Sequence, residues 1–530
     1  MENLSDRKKR FIMLAIMSAM LFASLNQTII GTALPKIISD LGGMHLYSWV
    51  FTIFMLASSV TAVLVGKLSD LYGRKPFILI GIGVFSVGSM MCGFSNTIIQ
   101  LIIYRGIQGF GAGMIMSTAF TVVGDLFSPR ERGKWQGIMS SVFGLSSVLG
   151  PTFGGWIVDH SDWHWIFWVF LPFGAVAFLM IWKLFPYWQR GVPQAVDYMG
   201  SILITLTIIP LLLAFTWGGN EYGWGSVPII SLLAGTAIFF VCFMIVERKV
   251  KNPVLPLHLF KNGVFTISNF LGFLLGAGMF GTIMYMPMFI QGVMGASATK
   301  SGMFMMSMTL SMVAASAIIG QLITKTGKYK LFALSGLFIM GGGTFLLSIL
   351  SFDASGLRVI SNLIIVGIGL GIAFPIFMLT IQNAVSHDYL GVATASAQLF
   401  RQMGGTIGVA IMGTFLNYSM KAHLASGAKL SLGPLNMPSG LRKKILQIQD
   451  PQILMDHSRL SKLLVSIPPE YKQPVGQLVV SVREALDYGL THVFMIDTII
   501  ILCAALLTAF FLKEIPLRTS NQPARPSRER

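Results

Sequence analysis

Charge is scarce in this chain. Of its 530 residues 11% are Asp, Glu, Lys or Arg, against roughly 25% in an average soluble domain, while 54% are hydrophobic. That balance excludes a soluble globular protein and leaves a polytopic membrane protein. Cysteine is rarer still: Cys92, Cys242 and Cys503 all fall in apolar segments, which excludes a disulfide framework and leaves them as small packing residues. The 8 histidines are scattered, mainly in loops, without metal-ligand spacing. No nucleophile, metal set or phosphate-binding loop stands out, so neither an enzyme nor a bound cofactor is expected. Acids are the scarcest of the charged groups inside apolar runs, where only Asp125 and Asp497 occur, both read as lying near helix ends.

What is present is a succession of apolar runs long enough to cross a bilayer. Fourteen are predicted, at 11-34, 47-65, 77-95, 98-126, 135-158, 164-185, 198-217, 227-247, 264-293, 302-324, 331-351, 357-381, 391-417 and 493-512. The first follows Arg7-Lys8-Lys9-Arg10 but lacks a small-x-small cleavage site, so it reads as a spanning helix rather than a secretory signal. An even number of spans places both termini on one side. With the N-terminus inside, 24 Lys and Arg fall in inner segments and only Lys36, Lys300 and Arg358 in short outer loops. That asymmetry predicts a multi-pass protein of a bacterial-type cell membrane with both termini cytoplasmic. The net charge of +17 then reflects this bias and attraction to lipid headgroups rather than a nucleic-acid partner.

Polar, proline-bearing stretches divide the runs. KLFPYWQRGVPQAVD at 183-197 and ERKVKNPVLPLHLFKN at 247-262 read as linkers. The predicted organisation is a six-helix bundle over 1-185, a linker with two additional spans over 186-262, a second six-helix bundle over 263-512, and a tail at 513-530. The second bundle includes a water-exposed helical loop at 418-490. In it Leu441, Ile445 and Ile448 recur at helical spacing, and Val475 to Leu490 reads as a helix entering the last span. An amphipathic cap over the outer mouth and a mobile connector are both open readings of this loop.

Between the second and third runs stands Gly66-Lys67-Leu68-Ser69-Asp70-Leu71-Tyr72-Gly73-Arg74-Lys75-Pro76. One carboxylate precedes a guanidinium by four residues, with glycines that let two helices approach and turn sharply. The stretch Gly320 to Lys330 echoes it after the second helix of the second bundle, with Thr324 and Lys328 at the Asp and Arg positions, as expected for parallel repeats. Asp70, Arg74 and Asp125, with Gly66, Gly73 and Lys75, form a candidate inner latch.

Further motifs accompany that loop: Arg105-Gly106-Ile107-Gln108-Gly109, and GLSSVLGPTFGG with Gly144, Gly150, Pro151, Gly154 and Gly155. With LNQTIIGTALPKI at 25-37 and RQMGGTIGVAIMGT at 401-414, the chain resembles the major facilitator superfamily, specifically its fourteen-helix drug:proton antiporters. The resemblance implies an all-α integral membrane fold of two six-helix bundles plus two extra central helices. It also implies alternating access, a proton gradient as energy source, and function as a monomer on small hydrophobic or amphiphilic substrates among membrane lipids. Asn26, Gln27, Arg105 and Gln108 are the candidates for the proton-coupling cavity, in which Asn26 and Arg105 lie at similar depth. Antiporters of this type usually carry Asp where this chain has Asn26, and Asn cannot titrate. Either another group couples protons, or the substitution was introduced to hold one state. Asn269, Met286, Gln291, Gln398 and Arg401 are the candidate substrate cavity, in a chain whose 32 Met suit an adaptable apolar pocket. Multidrug efflux is the expected function. Export of a fatty acid or lipid headed toward Arg105 and Arg401, or a non-transporting receptor using loop 418-490, are the alternatives.

Overall fold

Lipid cannot hydrogen-bond a peptide group, so a chain this apolar must close its backbone bonds within helices. In the computed structural model, which describes residues 5-41, 47-186, 197-219, 222-250, 253-296, 298-386, 389-427 and 457-517, it does so. The first unit comprises α1 (Asp6–Leu41), α2 (Tyr47–Tyr72), α3 (Arg74–Cys92), α4 (Ile98–Leu126), α5 (Pro129–His160), α6 (Trp165–Trp168) and α7 (Leu171–Leu184). A hairpin of α8 (Tyr198–Trp217) and α9 (Val227–Lys249) follows. The second unit comprises α10 (Gly263–Met288), α11 (Ala298–Thr326), α12 (Lys330–Ser348), α13 (Gly356–Asn383), α14 (Leu390–Gly427), α15 (His457–Val465) and α16 (Pro469–Phe511).

Among the described residues 11 helical stretches are long and apolar enough to span a membrane, with α6 and α7 counted as one, and shorter apolar stretches lie in α2 and α8. With α14, whose polar Gln398, Arg401 and Gln402 lower its hydropathy, these make up the fourteen predicted crossings. Local chemistry fixes the helix ends: Thr97 Oγ1 accepts from Gln100 N at 3.2 Å, and Ser128 and Glu131 form a reciprocal capping box at the head of α5.

Three spans depart from their predicted form. The run 164-185 breaks between α6 and α7, just before Pro172 at the start of α7. The run 264-293 ends in a π turn, Phe289–Val293, just after Pro287. The helix before loop 418-490 also extends far past its apolar run, α14 continuing to Gly427, where His423 lies 4.8 Å from the Tyr488 ring centroid of α16. The helix expected from Val475 into the last span is present as part of α16, which begins at Pro469 and on which α15 folds through Leu464, Ile467, Tyr471, Val475, Leu478 and Val479. Hydropathy marks where lipid ends, not where a helix does. Leu441, Ile445 and Ile448 lie outside the described residues.

Each unit has its own apolar core, one drawn mainly from α1 to α7 and the other from α10 to α16. One face carries the start of α1, where Lys9 lies 5.6 Å from the Phe127 ring, and the chain beyond α16, where Lys513 O accepts from Tyr329 Oη at 3.1 Å. We call this the terminal face. Here the two units meet in matching fashion. Gly66 at the end of α2 lies against Gly391 and Ala395 in the first turns of α14, and Gly320 at the end of α11 lies against Gly133 and Lys134 in the first turns of α5. A Cβ on Gly66 would stand 2.5 Å from Ala395 Cβ, and one on Gly320 2.6 Å from Gly133 O. The echo in the sequence is therefore a repeated packing device. The α8–α9 hairpin lies beside the α2–α14 seam, with Trp217 against Trp49 at 5.5 Å between ring centroids and Trp224 Nε1 donating to Thr414 Oγ1 at 3.3 Å.

Candidate functional site

A polar cluster lies inside the first unit, built from single residues on otherwise apolar helices. Gly88 of α3 packs so closely on α4 that a Cβ would lie 2.6 Å from Gln108 N. This approach sets Ser89 and Gln108 side by side, facing α1 and Asn26. Asn26 is fully buried. Its Nδ2 donates to Phe22 O at 3.1 Å, and its Oδ1 accepts from Gln108 Nε2 at 3.5 Å. The one Ser89 hydroxyl hydrogen serves either Asn26 Oδ1 at 3.2 Å or Phe167 O at 2.8 Å. Gln108 Oε1 in turn accepts from Arg105 Nη1 at 2.6 Å.

Asn26 and Arg105 thus communicate through Gln108, with no direct bond between them. Arg105 is fully buried; its Nε donates to Val50 O at 3.4 Å and its guanidinium sits 4.2 Å from the Phe54 ring centroid. Arg105 Nη2 has no hydrogen-bond partner among the described residues. Gln27 points elsewhere, with its amide 3.6 Å from Met55 Sδ. Ser89 was absent from the sequence expectations; a hydroxyl inside an otherwise apolar span, beside a glycine, was the available signal.

The second site lies on the terminal face. Gly73 takes φ 90 between α2 and α3, a conformation glycine adopts without strain. The turn brings Arg74 under α4, where its Nε meets Asp125 Oδ2 at 2.9 Å, while Nη1 donates to Ser69 Oγ at 2.8 Å. The pair is buried, with side chains 4% and 10% exposed. The surroundings of the Asp70 side chain lie outside the described residues. Lys75 Nζ donates to Trp182 O at 2.7 Å, tying α3 to α7.

Several polar contacts cross between the units, among them Gln382 Nε2 donating to Phe120 O at 3.3 Å. Gln136 Nε2 donates to Gln382 Oε1 at 2.9 Å, Gln398 Nε2 to Met116 O at 3.2 Å, and Ser59 Oγ to Gln402 Oε1. Buried amides of this kind hold two apolar surfaces in one register.

On α5, Gly144 faces the second unit at Val313 and Thr309, while Gly150 faces α1 at Thr28. Thr28 Oγ1 donates to Ser146 O at 2.8 Å. One helix thereby touches both the α11 seam and the helix bearing Asn26. Gly154 is buried; Pro151 and Gly155 lie on the same helix, with their surroundings outside the described residues.

The residues expected to line a substrate cavity are divided by the structure. Asn269 is buried between helices, its Nδ2 donating to Phe265 O at 2.9 Å and its Oδ1 accepting from Ser396 Oγ at 3.1 Å. Met286 is fully buried, and Gln398 is committed to Met116. These three are packing residues here. Gln291 and Arg401 are partly exposed, and Arg401 lies 4.7 Å from the Phe374 ring centroid without an acidic partner among the described residues.

Asp497 also differs from its expectation. It lies deep within α16 rather than near a helix end, and it is fully buried. Its neighbours are residues of α10.

This two-unit arrangement has counterparts. A family description, the Major Facilitator Superfamily, matches residues 16–409. The chain belongs to the Major Facilitator Superfamily. It is 37% identical over 528 residues to the multidrug transporter protein MdtP of Bacillus subtilis, covering 99% of this chain and 96% of that one. It is 34% identical over 518 residues to multidrug resistance protein 3 of the same organism, covering 97% of both chains. In fold it is similar to the human organic anion transporter MFSD10, with a TM-score of 0.59 and 15% identity over 93% of this chain and 99% of that one. A bacterial homologue of the lysosomal transporter Spinster gives a TM-score of 0.60 at 15% identity, covering 96% and 99%. The superfamily fold accounts for the paired bundles, and membership makes the protein a multi-pass membrane transporter of the drug-efflux branch.

Proposed function

We propose that this transporter exports hydrophobic or amphiphilic drugs from the cytoplasm in exchange for protons, as a monomer with both termini cytoplasmic. Similarity across almost the entire length to two Bacillus proteins named for multidrug transport and resistance carries the reading. The geometry is consistent with alternating access. Contacts between the units at Gly66, Gly133, Gln136, Gly320 and Gln382 gather at the terminal face, which the excess of basic residues assigns to the cytoplasm. A seam closed there, beside the Arg74–Asp125 pair that ties α3 to α4 within the first unit, is one of the two states a rocking transporter needs.

Everted membrane vesicles test this. With an imposed pH gradient, acid inside, a panel of chemically distinct dyes is expected to accumulate, and collapsing the gradient is expected to release them. Accumulation that ignores the gradient would overturn proton exchange, and no accumulation of any dye would overturn multidrug export.

A second substrate class has an observation of its own. Among the described residues Arg105 Nη2 lacks a hydrogen-bond partner and Arg401 an acidic one, an arrangement that favours an anionic amphiphile over a cation. Competition of dye efflux by long-chain fatty acids separates the two.

A further inference from the structure

Proton exchange needs a group that binds and releases a proton inside the membrane, and Asn26 cannot. Among the described residues, Asp497 is the one acidic side chain that is fully buried within a membrane-spanning helix. Its two nearest competitors lie at helix ends: Glu247 in the last turn of α9 accepts from Leu255 N, and Asp125 at the terminal face is committed to Arg74.

The surroundings of Asp497 are specific. Its Oδ2 accepts from Thr282 Oγ1 of α10 at 2.9 Å, and its Oδ1 accepts no hydrogen bond among the described residues. Oδ1 rests against Gly278, where a Cβ would come within 2.7 Å of it, and Oδ2 lies beside Gly281. Among the described residues no cationic side chain pairs with Asp497. α10 otherwise presents Tyr285, whose hydroxyl donates to Val409 O at 2.7 Å. α14 contributes Arg401, which is turned to the Phe374 ring, and α12 contributes Thr344, bonded to Thr498 Oγ1 at 3.1 Å. A carboxylate in hydrocarbon without a counter-ion is costly, and such residues mark ion or proton pathways.

We propose that Asp497 is the proton-binding carboxyl of this transporter, standing in the second unit for the one missing from helix α1. The assignment rests on the proton-exchange reading above. A proton taken from water forms an O–H bond at Oδ1, where no hydrogen bond is displaced, and returns to water when the unit rocks. Charging and neutralising the group changes the acceptor strength of Oδ2 toward Thr282 and so the grip of α16 on α10. That helix also packs on α14, which meets the first unit at Gly66 and Ser59. The site is thereby joined to the seam that opens and closes.

The test uses the purified full chain and its Asp497→Asn and Asp497→Glu variants. Infrared difference spectra across pH, with no substrate present, are expected to show a titrating buried-carboxyl band in the parent and the Glu variant that is lost in the Asn variant. In proteoliposomes with ethidium as probe, the Asn variant is expected to keep downhill flux and lose accumulation driven by a pH gradient, with partial recovery in the Glu variant. A parent that responds to the gradient while the Asn variant responds equally overturns the assignment to Asp497 alone. A parent whose flux ignores the gradient overturns proton exchange itself, and with it any coupling role here. Should the Asn variant not fold, Thr282→Val, which keeps the carboxyl and removes its donor, is expected to displace the midpoint of the band's titration; an unmoved midpoint overturns the proposal.

Discussion

Asn26 presents an acceptor to Gln108 and a donor to Phe22 O, so it satisfies its partners as a protonated Asp would. Restoring the carboxylate by Asn26→Asp adds an ionisable group two bonds removed from Arg105. The curves of dye transport against pH for parent and variant are then expected to diverge, and superimposable curves would take position 26 out of the mechanism. At the terminal face, Asp125→Asn leaves the Arg74 guanidinium buried with a weaker partner. An exposed ion pair is worth only a few tenths to ~1 kcal/mol, but the Arg74–Asp125 pair is buried. Removing one partner of a buried pair costs about 3–5 kcal/mol. Both residues belong to the first unit, so the cost falls on the contact of α3 with α4; thermal unfolding is expected to show the variant destabilised, and an unchanged midpoint would count against the pair.

Helices were legible where composition marks lipid, and illegible where packing takes over. The periodic apolar runs located α3, α9 and α12 within a few residues, because there the helix and the hydrocarbon end together. α14 outruns its apolar core, since its last turns pack on α16 with His423 4.8 Å from the Tyr488 ring centroid, a relation no window of hydropathy contains. Polar site residues followed the same division. Arg105 and Gln108 announced themselves as costly side chains in apolar surroundings, whereas Gln382 and Gln402 acquire meaning only from the opposite unit. The paired glycines at the seam give an element-scale prediction. Gly66→Val or Gly320→Val adds atoms where even a Cβ would stand 2.5 or 2.6 Å from the facing helix. Each variant is expected to prevent closure of that face and stop transport. Cysteines placed near either glycine should label faster from the terminal face, and unchanged labelling would count against a closing seam.

At the scale of the whole molecule, the proposed orientation places the terminal face, where basic residues gather, in the cytoplasm. Reporter tags fused at the two ends are expected to react with a membrane-impermeant reagent only in everted vesicles or permeabilised cells. Reaction of either tag in intact cells would invert the assignment of inner latch and outer loop. The two halves share a plan, yet their polar groups have diverged. One keeps an arginine–glutamine–asparagine chain without an acid, the other a lone acid bonded to Thr282. On the proposal that Asp497 binds the proton, the second half senses it, and the glutamine contacts between the halves join that site to the first unit.

The length of α16 carries a mechanical consequence. Pro469–Phe511 is 43 residues, about 65 Å of continuous helix at 1.5 Å per residue, of which roughly 30 Å crosses hydrocarbon. The remainder stands clear of the bilayer as a lever arm. A rock of roughly 10° in the membrane-embedded part would sweep its tip sideways by about 6 Å, taking an arm of ~35 Å from the same helical rise. The α15 segment folded on that tip would travel with it, turning a buried protonation event into a displacement that a fluorophore outside the membrane can follow in real time.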